Sequence, residues 1–383
     1  MDEPYSRVSV PFAFRFSDAV NGQWLPVTPD YFDSSNLRRT DPPEELHLIT
    51  WVVDDFMPFH AQRIVAAIEA LRDHLATCCE KLPAGPHSHR DSPATRIRAF
   101  APPSLMPSPI YHKSSQFPAV HQHDNRCPAA VIFLQGLTAD MLPIVLAHLW
   151  VCHNFIVSDI TSDGLSADYT VALLDRRLAR HARCFVRATL GPSETALDLL
   201  LVEIAMHGEK RMRLANTFVK TRRRKEQLPH QTRSTFMHQL AYIRKQLEYA
   251  DGGVHAGTFR LFLQPLAAAA TIAEVGLHDL WEPDSSGETQ GDRMQHTWGH
   301  WPRESSMTDF APQRASKFCT TGEAQISRGR VARLALDARC EIYVPGASGF
   351  AVHISDHCAM EIYLSLPAPA KHKGLVNGFF GRK

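Results

Sequence analysis

The sequence has almost no net charge. Its 41 Lys and Arg against 40 Asp and Glu leave +1 over 383 residues. Nothing global therefore draws the chain to nucleic acid or to an anionic membrane. No apolar run reaches the roughly 18–20 residues a spanning helix needs. Residues 1–10 carry Asp2 and Glu3 and lack the apolar stretch of a secretory signal, which points to the cytoplasm. The eight cysteines form no C-x-x-C. In a long chain without a signal they read as reduced thiols, several of them buried. Gly-rich phosphate loops, internal repeats and low-complexity tracts are also missing.

What is present is an ordinary globular balance, 44% hydrophobic and 21% charged. The length calls for two subdomains or one two-lobed domain. Apolar runs predict strands at 46–53, 129–134, 155–160 and 184–189. Helical spacing of Ile64, Ala67, Ile68, Leu71 and Leu75 predicts a helix over 61–82. Further helices are expected at 138–150, 167–182, 194–206, 235–249 and 258–275. Residues 83–128, rich in Pro, His and Ser, read as loop with at most one strand. The chain ends in strands at 329–336, 339–344, 350–354 and 360–366. Helices interleaved with strands, then a strand-rich end, argue for a layered α+β architecture.

The apolar run Phe155-Ile156-Val157 leads into Asp163-Gly164-Leu165-Ser166 and then an amphipathic segment. Upstream stand Leu48-Ile49-Thr50, Asp54, Met57, Pro58 and Arg63. Downstream stand Asp309-Phe310, Arg328-Gly329-Arg330, Tyr343-Val344-Pro345 and Met360-Glu361-Ile362. Together these stretches resemble the chloramphenicol acetyltransferase-like superfamily, in particular its fungal CoA-dependent acyltransferases of the BAHD type. The resemblance implies two lobes, 1–215 and 216–383, each a mixed sheet covered by helices, with a channel between them. It implies transfer of an acyl group from CoA to a hydroxyl or amine of a small molecule, in secondary metabolism. Acyl-CoA is then a co-substrate, with no other cofactor, metal, membrane or nucleic-acid partner, and the chain is expected to be a monomer.

The family has a catalytic His four residues before the loop Asp, and here that position is Asp159. An imidazole suits general-base work because its pKa lies near working pH, whereas an unperturbed Asp sits at about 3.9. Three readings stay open: Asp159 is a base with a raised pKa, another His such as His153 takes over, or the chain binds without turnover. Asp163 is expected to hold the loop through an Arg, with Gly164 permitting the turn. Arg328, Gly329 and Arg330 are expected to meet CoA. A further alternative is a small-molecule-binding regulatory module at 129–216, which reads as alternating strands and helices.

Other motifs carry less. His87-Ser88-His89, His121-Gln122-His123-Asp124 and His296 with His300 have metal-ligand spacing, but read as loops among 21 histidines. The run Lys220-Thr221-Arg222-Arg223-Arg224-Lys225 reads as a solvated crossover or a phosphate-binding patch. Cys152 and His153 are adjacent and point apart, so they cannot form a nucleophile–base pair.

Overall fold

The structure is a computed structural model. It describes residues 7–10, 13–18, 22–28, 41–53, 58–80, 127–161, 169–190, 197–220, 229–260, 265–281, 296–298, 314–321, 327–328, 331–335, 338–343 and 348–366. The chain divides into two compact units, residues 1–72 with 128–383, and residues 73–127.

The larger unit holds two mixed sheets. In the first the order is β1 (Arg7–Val10), β8 (Ala182–Leu190), β9 (Leu197–Ala205), β10 (Arg211–Lys220), β11 (Gly252–Arg260), β13 (Ser316–Thr320) and β12 (His278–Asp279). In the second it is β14 (Ser327–Arg328), β18 (Ala359–Ser365), β4 (Glu45–Val52), β5 (Ala129–Leu137), β7 (Tyr169–Asp175), β6 (Phe155–Val157), β2 (Phe14–Ser17) and β3 (Gln23–Pro26). β15 (Ala332–Leu334) also pairs with β18, and β16 (Arg339–Ile342) with β17 (Phe350–His353) forms a separate ladder.

Alternation along the strands builds the core. Leu46 and Leu48 of β4, Val131 and Phe133 of β5, Leu200 and Val202 of β9, and Met212 and Leu214 of β10 share one buried cluster between the sheets. The next residues along these strands point the other way. Leu199, Leu201 and Ala215 pack with Phe236, Leu240 and Ile243 of helix α4 (Pro229–Leu247) and Ile272 of helix α5 (Pro265–Glu274). Strands buried on both faces read as apolar runs, here Ala129 to Leu134 in β5 and Leu199 to Val202 in β9.

One motif occurs twice. In the second sheet β4 runs parallel to β5, flanked by antiparallel β18 and β7. In the first sheet β10 runs parallel to β11, flanked by antiparallel β9 and β13. Each parallel pair has a helix in its connection, α1 (His60–Glu80) after β4 and α4 after β10.

This architecture corrects the two-lobed expectation. The sheets lie face to face over one core instead of forming two helix-covered lobes with a channel. The segments 167–182 and 194–206, expected as helices, are mostly strands β7, β8 and β9. The expected regulatory module at 129–216 is no separate domain, since its strands are divided between the sheets. Helix α2 (Met141–Ala147) falls within the predicted helix 138–150, and a second helix, α3 (Leu149–Asn154), extends past its end.

In the smaller unit, the Thr77 hydroxyl donates to the Asp73 carbonyl at 2.9 Å. Cys79 and Cys127 form a disulfide there, with Cα atoms 5.5 Å apart, which departs from the expectation of reduced thiols throughout.

Candidate functional site

The topology sends one end of the sandwich all the strand ends that matter. β4, β5 and β6 finish there, as do β10 and β11 in the opposite sheet, and β13 and β18 begin there. The space between the sheets changes character along this direction. Below lie Leu48, Phe133 and Leu214. One step on, the inward residues are Thr50, Gln135, Asn216, Thr258 and Ser316, all nearly or fully buried. The Gln135 amide donates to the Thr50 hydroxyl, and the Asn216 amide donates to the Ala256 carbonyl. The hydroxyls of Thr258 and Ser316 are 2.9 Å apart. A second step on come Val52 and Phe218, with Gly136 between them. A Cβ on Gly136 would lie 3.5 Å from the Phe218 ring and 3.5 Å from Val52 Cγ1.

The segment before β18 closes over this polar belt. The Ser355 hydroxyl donates to the Val52 carbonyl at 2.7 Å, and accepts from the His357 N–H at 3.0 Å. The Trp51 indole donates to the His357 carbonyl at 3.0 Å. The Trp298 indole donates to Asp356 Oδ2 at 2.5 Å, and His357 Nε2 lies 3.6 Å from Asp356 Oδ1. Trp298 and His357 are also bridge partners in the backbone. Thr297 joins this segment to β13, accepting from Ser316 N–H at 2.9 Å and from Cys358 N–H at 3.0 Å. Burial pushes the Cys358 thiol up to about 12, which keeps it a neutral packing group. The chemistry-bearing pair here is Asp356–His357, held by two indoles. A buried indole N–H needs an acceptor, and both are aimed at this segment.

Of the sequence-derived candidates, Asp159, His153 and Arg328 are among the described residues. Asp159 follows β6 at this end of the sandwich, but it is consumed by structure. Its Oδ2 accepts from the Ser158 hydroxyl at 2.5 Å and from the Arg187 guanidinium at 2.6 Å. Arg187 stands on β8 and also donates to the Thr170 carbonyl of β7 at 2.9 Å, so the pair joins the two sheets. His153 ends α3 at the opposite end of β6, 3.8 Å from Asp18. The structure therefore does not bring Asp159 and His153 together. Asp163, Gly164, Gly329 and Arg330 lie outside the described residues, as do His87, His89, His121, His123 and His300. Arg328 is on β14 opposite Leu364, near the far end of β18 from the site.

Sequence reasoning missed Ser355, Asp356, His357, Trp51, Gln135 and Asn216. Signals for some of them exist. Gln135 interrupts an otherwise apolar run, and Trp51 sits inside a strand that is buried on both faces.

No protein-family model matches this sequence, and no curated protein matches it. Solved structures do. The truncated Caenorhabditis elegans TDP2 is similar over 84% of this chain and 97% of its own, at 13% identity and a TM-score of 0.50. D. rerio TDP2 complexed with single strand DNA product is similar over 85% and 99%, at 14% identity and a TM-score of 0.49. An endonuclease/exonuclease/phosphatase family protein from Bacteroides thetaiotaomicron is similar over 85% and 96%, at 9% identity and a TM-score of 0.44. The likeness to the C. elegans protein shows the fold, the two-sheet sandwich of endonuclease/exonuclease/phosphatase proteins. It overturns the chloramphenicol acetyltransferase-like assignment, and with it the acyltransferase reading and the acyl-CoA partner. The exclusion of nucleic acid came with that assignment and falls with it. No helix among the described residues is long and apolar enough to cross a membrane.

Proposed function

We propose that this chain engages a phosphodiester, in the first instance a nucleic-acid strand, at the end of the sandwich capped by Ser355, Asp356 and His357. The observation that carries this reading is the convergence of Asp356, His357, Trp51 and Trp298 where β4, β10, β11 and β18 meet. An imidazole beside a carboxylate can donate to a phosphate oxygen. The fold supports the same class, because proteins that share it are phosphodiesterases and nucleases. A further support is covalent. The basic run 220–225 begins at Lys220, the last residue of β10, two residues past Phe218. Phosphate contacts of this kind give sequence-independent, salt-dependent affinity. The near-zero total charge does not argue against it, since a local cluster and not the sum sets such a field.

The test is fluorescence anisotropy of an end-labelled single-stranded oligonucleotide across a salt series. Saturable binding is expected, weakened about tenfold or more by His357→Gln and with a shallower salt slope when Arg222, Arg223 and Arg224 become Gln. Circular dichroism checks that each variant is folded. Absence of saturable binding, or binding indifferent to all four substitutions, would sink the proposal.

A further inference from the structure

Nucleases and phosphatases commonly cleave phosphate esters with one or two divalent cations, which clamp the attacking and leaving oxygens. A small hard cation such as Mg²⁺ wants about six oxygen ligands, with carboxylates to offset its charge. The described residues at this end of the sandwich do not supply them.

The innermost polar layer offers neutral groups. Thr50, Gln135 and Asn216 contribute a hydroxyl and two amides that largely bond one another or a backbone carbonyl. The buried amide oxygens of Gln135 and Asn216 accept no hydrogen bond from a described residue. Two neutral oxygens between apolar walls cannot repay the dehydration of a divalent ion. The next layer is apolar, formed by Val52 and Phe218. Between them Gly136 has φ +71° and already meets both neighbours at the distance of a single methyl. A glycine offers no side-chain ligand there, and its backbone conformation disfavours any side chain. At the rim, Asp356 presents its carboxylate to the Trp298 indole. Among the described residues, no group of three close metal-ligating side chains includes a residue of this end.

We infer that this site holds its phosphodiester without a divalent cation and leaves the ester bond intact, so that the sandwich works here as a binding module. This rests on the phosphodiester reading above for the identity of the ligand, but the cation part is tested separately.

The full-length chain is titrated with Mn²⁺ and followed by electron paramagnetic resonance, with Asp356→Asn alongside. In parallel, oligonucleotide affinity is measured in EDTA and in millimolar MgCl₂ at matched ionic strength, and the oligonucleotide is run on a denaturing gel afterwards. The expected result is no saturable Mn²⁺ signal that Asp356→Asn removes, affinities within about twofold in the two buffers, and uncut oligonucleotide. A saturable signal lost in Asp356→Asn overturns the inference, and so does metal-stimulated cleavage by the wild type. A Mn²⁺ signal that survives Asp356→Asn, with the strand uncut, places that ion elsewhere and supports it. If Asp356→Asn does not fold, the cleavage gel of the wild type decides. If no oligonucleotide binds in either buffer, the phosphodiester reading fails, while the Mn²⁺ titration still decides whether this end holds a cation.

Discussion

The two copies of the strand motif each bury one histidine on the face turned away from the other sheet, and they treat it differently. His47 on β4 lies 2.6 Å from the Glu361 carboxylate of β18 and stacks on Tyr363, with ring centroids 4.2 Å apart. His255 on β11 has a hydroxyl, Thr217 of β10, at 2.9 Å, and stacks on Phe259. Burial pushes the His255 imidazole down to about 3, so it is neutral at any physiological pH. The glycine at 257 makes this possible, because a Cβ there would lie 2.6 Å from the His255 ring. One topology therefore accepts a histidine–carboxylate pair in one half and a histidine–hydroxyl pair in the other. Strand order is fixed by apolar burial on both faces, and the polar residues set into it are free to diverge.

The strongest way to break the comparison is to separate the halves. Asp159 and Arg187 are each 7% exposed and link the second sheet to the first. Removing one partner of a buried pair leaves the other charge without compensation, which typically costs about 3–5 kcal/mol. Asp159→Ala is expected to lower unfolding stability by that amount in a urea titration. A loss below about 1 kcal/mol would mean that the pair does not hold the sheets together.

The histidines give the next effect. His255 has a folded pKa below its unfolded value of about 6.5, so the unfolded chain binds the extra proton first. Its contribution is complete above pH ~6.5 and is lost as pH falls from there toward ~3, at about 1.4 kcal/mol per unit. Between pH 7 and pH 5 this removes about 2 kcal/mol. The slope should shrink by that amount in His255→Gln, and an unchanged slope would show that His255 is not the titrating group. The same pair of measurements on Glu361→Gln sharpens the contrast, since that substitution leaves His255 in place and the slope it causes intact.

A smaller effect tests the mouth of the site. Gly136 adopts φ +71°, and an added methyl would meet only ordinary van der Waals contact at 3.5 Å. Gly136→Ala should therefore carry the backbone penalty alone, about 1–2 kcal/mol. Gly136→Val adds bulk against Phe218 and Val52 and should cost more. If Ala is neutral in a thermal melt, the left-handed turn at the end of β5 is wrong, and with it the placement of Val52 against Phe218.

Much of the secondary structure was legible in the sequence, and the architecture was not. Strands β4, β5 and β18 and helices α1 and α4 followed from apolar runs and helical spacing. β9 was misread because Leu199 to Val202 is an apolar run, and a strand buried on both faces then looks like a helix behind Gly191-Pro192-Ser193. β7 failed for the same reason in Thr170 to Leu174. The repeated motif leaves no trace in the sequence, because apolar burial specifies hydrophobicity and not identity. The site was hidden by distance. Trp51, Gln135, Asn216, Trp298 and His357 are spread over three hundred residues, and only β-pairing brings them together. Asp159 was found as a notable residue, but as a candidate base, and an Arg partner was expected only for Asp163. Local pattern therefore suggested a base where tertiary structure had built a clasp.

The smallest expected effect sets the scale for the others. On the outer helix of the first sheet, Arg244 and Glu248 are i,i+4 partners 2.7 Å apart, and both are close to half exposed. Such a pair gains little in water and is screened by salt, and the order Arg before Glu is the weaker one. Glu248→Gln should cost no more than about 0.3–0.5 kcal/mol, and nothing in molar salt. Arg244 does more than pair with Glu248. Its Nη1 donates at 2.9 Å to the carbonyl of Val275, just past the end of α5, where a carbonyl lacks a helical partner. Arg244→Ala should thus cost clearly more than Glu248→Gln, and salt should not erase the difference. Equal effects of the two substitutions would mean that the ion pair, and not the cap between α4 and α5, is what Arg244 supplies.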